Sequence, residues 1–306
     1  MKWARIKSIL NQIMGHCYFS NRRLKHYLKK NKVEMSSPRE YLIGQYQAVF
    51  KRMPNLDEPR SYNEKLLWIK LNYHNDSYKI LTDKIAVKDY LERLGLGSYV
   101  IPTYGVYDSP DLIDYSLLPD SFVIKVNNDS GGVVLVNDKN TINHSKINSF
   151  LASSLKRNYF QLFGEWNYNF NGRVIVEKLI SPKPLNDYKF LCFSGKVEYM
   201  YVASDRQNFL KFNFYKRDFT PIKVIQGHPR SHALISKPKS FDLMIQIAEL
   251  IASKFPHIRV DFYEVEGQLY LGELTFFHMG GMYPFYPKQF DIKLGSLLDL
   301  TMYNKE

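Results

Sequence analysis

The chain changes its hydrophobic rhythm at Gly95, and that change limits the architectures open to it. Before this point, residues 38–95 read as mainly helical. Ser61 is placed to cap a helix running through Leu71, with Glu64 three residues on completing a capping box, and a second helix over 83–94 stops at Gly95. After it, Val100–Tyr107, Phe122–Val126, Val133–Val136, Val174–Leu179 and Lys189–Phe193 are short β-rich runs parted by Gly, Pro, Asn and Asp. Helices are expected over 145–160 and 239–254, while 257–265 and 268–276 form a hairpin turning at Glu266-Gly267. No internal repeat interrupts the series, so the expected class is α+β with an antiparallel C-terminal sheet.

With 306 residues, 45% hydrophobic and 15% aromatic, such a chain buries a substantial core. Its two cysteines, Cys17 and Cys192, have no neighbours at metal-ligand spacing and outline no disulfide framework, which fits a reducing cytoplasm. No run reaches transmembrane length and no signal-peptide pattern opens the chain, so a cytoplasmic location is expected.

The net charge of +12 is concentrated at one end. Residues 1–32 hold nine Lys and Arg and no acid; the rest of the chain has 33 bases against 30 acids. Nucleic-acid binding needs cations spread along a contact surface, so no nucleic-acid partner is expected. Trp3, Ile6, Leu10, Ile13, Met14 and Cys17 recur at helical spacing, making residues 2–17 an amphipathic helix. This arm either packs on the protein's own body or rests on an anionic membrane surface or a membrane-bound partner, where each cation contributes roughly 1 kcal/mol.

Three segments carry candidate chemistry. Residues 121–136 read SFVIKVNNDSGGVVLV, placing Lys125 in an apolar strand ahead of a Ser130-Gly131-Gly132 turn. The lysine either faces solvent or serves an anion, and free backbone N–H groups of such a turn suit phosphate oxygens. Residues 174–180, VIVEKLI, end a strand in Glu177-Lys178-Leu179, and Asp187-Tyr-Lys189 opens the next. Glu177 is placed to meet an adenine or ribose edge and Lys189 to face phosphates; the alternative is an exposed ion pair worth little. Residues 259–275, RVDFYEVEGQLYLGELT, put Arg259 and Asp261 on one strand face and return Glu273 toward Asp261. Two carboxylates brought together repel, and a divalent cation relieves them; magnesium suits oxygen ligands completed by water and phosphates.

In this order and spacing the three segments resemble the ATP-grasp superfamily. Thr82-Asp-Lys84, Leu94-Gly95 and Ile101-Pro102 are similar to its Asp-Lys helix and following extended segment. The phrases DYKFLCFSGK at 187–196, RVDFY at 259–263 and GELTF at 272–276 resemble the teichuronopeptide-biosynthesis (TupA-like) branch, over roughly residues 40–300. The resemblance implies an ATP-grasp fold, two α+β lobes clasping the nucleotide, with a helical N-terminal region. Its expected segments are a basic amphipathic arm over 1–34, a mainly helical region over 35–98, a lobe over 99–180 with the phosphate-covering loop, and a C-terminal lobe over 181–306 with the magnesium site.

It further implies ATP and Mg2+ as cofactors. Lys84 and Lys125 become the phosphate lysines, Ser130, Gly131 and Gly132 the covering loop, and Glu177, Lys178 and Leu179 the adenine hinge. Asp187 falls near the ribose, and Lys189 and Arg259 near the transferring phosphoryl group. Asp261 and Glu273 become metal ligands. The usual Glu-x-Asn reads Glu273-Leu-Thr275 here, and Thr275 is a poorer ligand than an amide, so water is expected in the vacated place. Arg206, His278 and Lys288 are candidates for the acceptor. The implied reaction is ligation of an amino acid or other amine to a uronic acid of a bacterial surface saccharide. A glycosyltransferase of the same pathway, or a non-catalytic scaffold, is the alternative; the chain contains no Asp-x-Asp triplet of the kind that holds a sugar nucleotide's metal.

Overall fold

The computed structural model describes residues 37–129, 131–157, 159–206 and 208–303. The expected helix over 2–17, the basic arm and Ser130 lie outside the described residues. Helices run α1 Pro38–Phe50, α2 Tyr62–Asn72, α3 Ser77–Thr82, α4 Ala86–Arg93, α5 His144–Leu155, α6 Tyr159–Phe163, α7 Phe241–Ala252 and α8 Lys288–Leu297. Strands run β1 Thr103–Tyr107, β2 Phe122–Val126, β3 Val133–Val136, β4 Val174–Lys178, β5 Asp187–Phe193 and β6 Lys196–Ser204. They continue with β7 Lys211–Lys216, β8 Pro221–Ile222, β9 Ile225–Gln226, β10 His257–Val265, β11 Gln268–Thr275 and β12 Phe285–Tyr286. The class is α+β. Two compact units share the chain discontinuously. Unit 1 comprises the described residues up to His74, Asn186–Val260, and those from Thr275 on; unit 2 comprises Asn75–Leu185 and Asp261–Leu274.

In unit 1, α2 starts where the sequence places it. Ser61 Oγ accepts from the Glu64 N–H at 3.2 Å and Glu64 Oε2 accepts from the Ser61 N–H at 3.1 Å, satisfying two donors that a helix start leaves open. Asp291 on α8 accepts from a third, Asn63 N–H, at 3.1 Å. The two helices meet at Gly295, where a Cβ would lie 2.1 Å from the Arg60 carbonyl oxygen, so only glycine allows the approach.

Strands β5, β6, β7 and β8 pair in that order, with β10 beside β5 and β11 beyond it. Helix α7 packs by Phe241 against Phe190 on one sheet face. The cross-strand pairs Lys189 with Tyr201 and Tyr201 with Phe214 belong to the other face. There Tyr62, Tyr201, Phe214, Phe285 and Phe290 form an aromatic cluster, Phe285 meeting Phe214 and Phe290 edge-on and Tyr201 stacking on Phe214. The reading from sequence does not delimit β6 and β7, because both faces of these strands are buried and the two-residue period is masked.

Unit 2 is built on an antiparallel sheet of order β1-β4-β2-β3. Phe122, Ile124, Val126, Val136, Val174 and Val176 pack with Leu151 of α5 into its core. Burial of each such side chain contributes about 1.5–3 kcal/mol. The alternate residues Val123, Lys125, Ile175 and Glu177 occupy the opposite face. Helix α4 ends before Gly95, whose φ of 75° is the left-handed conformation that stops a helix. The expected helix over 145–160 is shorter, ending at Leu155 ahead of α6. Val100–Tyr107 becomes a strand only from Thr103, Val100 making an isolated bridge to Leu271. Glu266 and Gly267, at φ 51° and 85°, form the tight turn joining β10 to β11. No described helix is long and apolar enough to cross a membrane.

Candidate active site

The free face of the unit 2 sheet combines an apolar floor with a charged margin. Val123 and Ile175 lie between Val106 on β1 and Leu135 and Val133 on β3, the last three partly exposed. Glu177, buried at the end of β4, takes Lys125 Nζ on one carboxylate oxygen and Lys88 Nζ on the other, each at 2.5 Å. Burial pushes its carboxyl up, but the two ammonium groups outweigh this and hold it below the usual carboxylate range. A flat apolar surface edged by cations is suited to a planar heterocycle carrying phosphate.

Lys84 is the half-buried centre of this region. Its Nζ donates to the Asp129 carbonyl at 2.8 Å and, at 3.5 Å, to that of Asn127. Burial pushes its pKa down; Glu273 opposes that, Lys125 adds to it, and Asp129 and Glu177 also oppose it. Thus Lys84, Lys125, Glu177 and Glu273, drawn from four segments, share one electrostatic environment. Asp83 receives Asn127 Nδ2 at 2.9 Å, and Asn127 Oδ1 receives the Arg173 N–H at 2.6 Å. The Asp129 carboxylate pairs with Arg157 at 2.5 Å and accepts from Gly131 N–H at 3.1 Å. The start of the glycine loop is therefore braced from several sides. Gly131 is its open residue. Gly132 is needed for packing, since a Cβ there would lie 2.3 Å from Val126 Cγ2.

On β10 the apolar Ile258, Val260 and Phe262 alternate with Arg259, Asp261 and Tyr263, and Asp261 is buried. Counting back from a two-residue turn brings Gly272, not Glu273, opposite Asp261. A Cβ on Gly272 would meet the Tyr263 ring at 2.9 Å and the Asp261 carbonyl at 3.4 Å. Along β11 Leu269, Leu271 and Leu274 are buried, while Gly272, Glu273 and Thr275 are half-buried. Tyr168 Oη donates to Glu273 Oε1 over a long 3.4 Å.

Among the described residues no group of three or more His, Cys, Asp or Glu assembles as a metal site. A cation at this hairpin therefore depends on two carboxylates and on Thr275, whose Oγ1 is buried without a hydrogen-bond partner. Oxygen donors in that number fit magnesium, which keeps waters and phosphates as its remaining ligands.

In unit 1, Asp187 and Lys189 project from one face of β5 and pair at 2.8 Å, both buried. Arg206, beyond β6, pairs with the same Asp187 oxygen while its side chain stays half exposed. Arg259 is buried with Nη1 3.3 Å from His278 Nδ1, and His278 Nε2 is 2.7 Å from Gln226 Oε1. Burial, followed by the charge of Arg259, pushes the His278 pKa well down. With its ring fully buried and both nitrogens engaged, His278 is not an open acceptor-binding group. That expectation from sequence gives way to a supporting place beside Arg259. Lys288 is exposed at the start of α8, and no described hydrogen bond or ion pair joins it to the other candidates. At the end of β4 Lys178 is exposed, and Leu179 after it is half-buried.

Lys88, Tyr168 and Gln226 escaped the reading from sequence, whereas Asp83 stood in the Asp-Lys motif. Only Lys88 left a local signal, lying four residues after Lys84 and so one helical turn on.

These features define an α+β protein with clustered lysines and carboxylates suited to a metal-bound phosphate compound. The chain belongs to the TupA-like ATPgrasp family, whose family model matches residues 64–299. Curated proteins include no match. Among solved structures, D-alanine–D-alanine ligase from Bacillus anthracis complexed with ATP is 18% identical at a TM-score of 0.38, over 64% of this chain and 53% of that one. D-alanine–D-alanine ligase from Helicobacter pylori is 14% identical at 0.45, over 78% and 70%. L-amino acid ligase from Bacillus licheniformis is 13% identical at 0.43, over 78% and 55%. The chain spans only 44–57% of the length of the first three solved structures it matches.

Proposed function

We propose that this chain is an ATP- and Mg2+-dependent carboxylate–amine ligase acting on a uronic-acid-containing saccharide in bacterial surface polysaccharide biosynthesis. The observation that carries the reading is the half-buried Lys84, held by the Asp129 carbonyl at 2.8 Å, whose electrostatic neighbours are Glu273, Lys125, Asp129 and Glu177. Phosphoryl transfer needs positioning and charge neutralisation more than covalent chemistry, and this set supplies both.

In this reading Lys84 and Lys125 take phosphate oxygens, with Gly131 and Gly132 in the covering loop. Glu177 to Leu179 meet adenine, and Asp187 meets the ribose. Asp261 and Glu273 hold Mg2+, with Thr275 or a water completing the set; the ion supplies charge neutralisation on the phosphates. A carboxylate oxygen of the uronic acid attacks the γ-phosphorus, the bond to the β-phosphate oxygen breaks, and ADP leaves. The amine then attacks the acylphosphate carbonyl, phosphate leaves, and the nitrogen loses a proton to give the amide. Arg259 and Lys189 stabilise the charge that develops on the transferring group; removing one such preorganised donor costs about 3 kcal/mol, roughly a hundredfold. Arg206 and Lys288 are assigned to the acidic acceptor. The basic arm provides peripheral contact at the cytoplasmic face of the inner membrane.

The test is incubation with ATP, Mg2+, a uronic acid and mixed amino acids. Release of ADP and phosphate that requires both organic substrates is expected. Turnover of UDP-sugars without ATP would instead establish a glycosyltransferase, and no turnover with either would favour a scaffold.

A further inference from the structure

We propose that Gln226 and His278 are positioning residues for Arg259, joined to it by a one-way hydrogen-bond chain that ends on the Tyr283 carbonyl. The role given to Arg259 rests on the ligase reading. A guanidinium only donates, so His278 Nδ1 must accept at the 3.3 Å contact, and the ring proton sits on Nε2. That N–H donates to Gln226 Oε1 at 2.7 Å, leaving Gln226 Nε2 to donate to the Tyr283 carbonyl at 3.2 Å. An obligate donor stands at one end and an obligate acceptor at the other. The tautomer of His278 and the amide orientation of Gln226 are thereby both determined.

The chain is held by the fold around it. Gln226 and His278 have no exposed surface. Gln226 lies on β9, paired with Phe285 of β12. The His278 ring packs among Tyr201, Tyr62 and Phe285, with centroids 5.5–6.3 Å away. Protonating His278 would turn Nδ1 from acceptor to donor and set two cations against each other in a buried space. Burial keeps the ring neutral and the chain intact. One arm of Arg259 is thus oriented by a neutral partner. Displacement of a positioned group by about 1 Å typically costs a hundredfold in rate, so such support has functional weight.

Calorimetry on the full chain with Mg2+, comparing the triphosphate analogue AMPPNP with ADP, tests this. Wild type is expected to prefer AMPPNP, and Arg259→Ala to lose about tenfold of that preference. Gln226→Met, which keeps volume but ends the chain, should lose at least about fivefold, with ADP affinity unchanged within about twofold. Gln226→Glu, which draws a proton onto His278, should lose more. His278→Asn, whose amide oxygen still offers Arg259 an acceptor, should retain more preference than His278→Leu.

If Gln226→Met and His278→Leu fold, by far-UV circular dichroism, and discriminate as wild type does while Arg259→Ala does not, the positioning role is overturned and the ligase reading stands. Should His278→Leu fail to fold, Gln226→Met decides alone. A wild-type chain that binds neither nucleotide overturns the ligase reading and the role of Arg259 together. Nitrogen-15 spectra of the imidazoles test the chain without nucleotide: His278 protonated at Nδ1 refutes it, and a neutral Nε2–H ring supports it.

Discussion

The lysine cluster of unit 2 and the histidine core of unit 1 both hold polar groups against burial, by different means. Lys88 and Lys125 are matched by the single carboxylate of Glu177, and Lys84 by carbonyl oxygens with Glu273 nearby. In unit 1, His257 and His278 stay neutral. His257 Nδ1 donates to the Cys192 carbonyl at 2.7 Å and Nε2 accepts from Tyr62 Oη at 2.7 Å, while His278 bridges Arg259 and Gln226. Ionic compensation leaves a cluster open to exchange, because a phosphate can replace a carboxylate as the partner of a lysine. Neutral bonds hold one geometry and fail only when a ring protonates.

The largest expected effect bears on the ionic side. Asp261→Asn and Glu273→Gln should each reduce turnover by at least about a hundredfold, near 3 kcal/mol, with circular dichroism unchanged. Near-normal turnover in both variants would remove the metal site and with it the contrast between the two regions.

A pH series of urea denaturation separates the regions by their titration windows. Burial, partly offset by its bond to Cys192, lowers the His257 pKa from the ordinary 6.5 to about 4. Between these values the unfolded chain binds the extra proton, so stability rises with pH and is lost as pH falls from 6.5 toward 4. The loss should be about 3 kcal/mol from this ring. Glu177 behaves oppositely: with its folded pKa held below the ordinary 4.5, its contribution is complete above pH 4.5 and is lost only below that. Acid loss between pH 6.5 and 4.5 therefore belongs to the histidine core. A flat profile in that window would contradict the neutral-ring assignment.

Lys88→Met should cost about 2 kcal/mol, since the buried Glu177 keeps Lys125 as a partner. By bringing the folded Glu177 pKa closer to 4.5, it should also shrink the stability lost below pH 4.5, read in the same denaturation series. Thr275→Asn is the smallest change. Restoring an amide where the hydroxyl now lies buried and unpartnered should tighten apparent Mg2+ affinity, with stability altered by less than about 1 kcal/mol. Unchanged Mg2+ affinity would exclude position 275 from the metal's ligands.

Much of this was legible locally. The Ser61–Glu64 capping box, the helix stop at Gly95 and the hairpin turn at Glu266-Gly267 depend on residues within four positions of one another, and all three form as read. The placement of Lys84, Lys125, Glu177 and Glu273 in one environment was legible only through the order of motifs. No local rule links Lys84 to a carbonyl 45 residues away.

The fate of His278 shows the limit most clearly. Its sequence position beyond Glu273 suits an acceptor site, whereas the structure buries its ring with both nitrogens engaged. The hairpin shows another: strict alternation from its turn puts Gly272, not Glu273, opposite Asp261.

By itself the amino-acid sequence determined the α+β class, the chief helix ends and the chemical inventory, because caps, turns and hydrophobic periods act between near neighbours. Tertiary structure alone decided which carboxylate answers which lysine and the burial of His278 among aromatic rings. Those outcomes depend on strand register and burial, which bring together groups from distant parts of the chain and fix their protonation by what surrounds them.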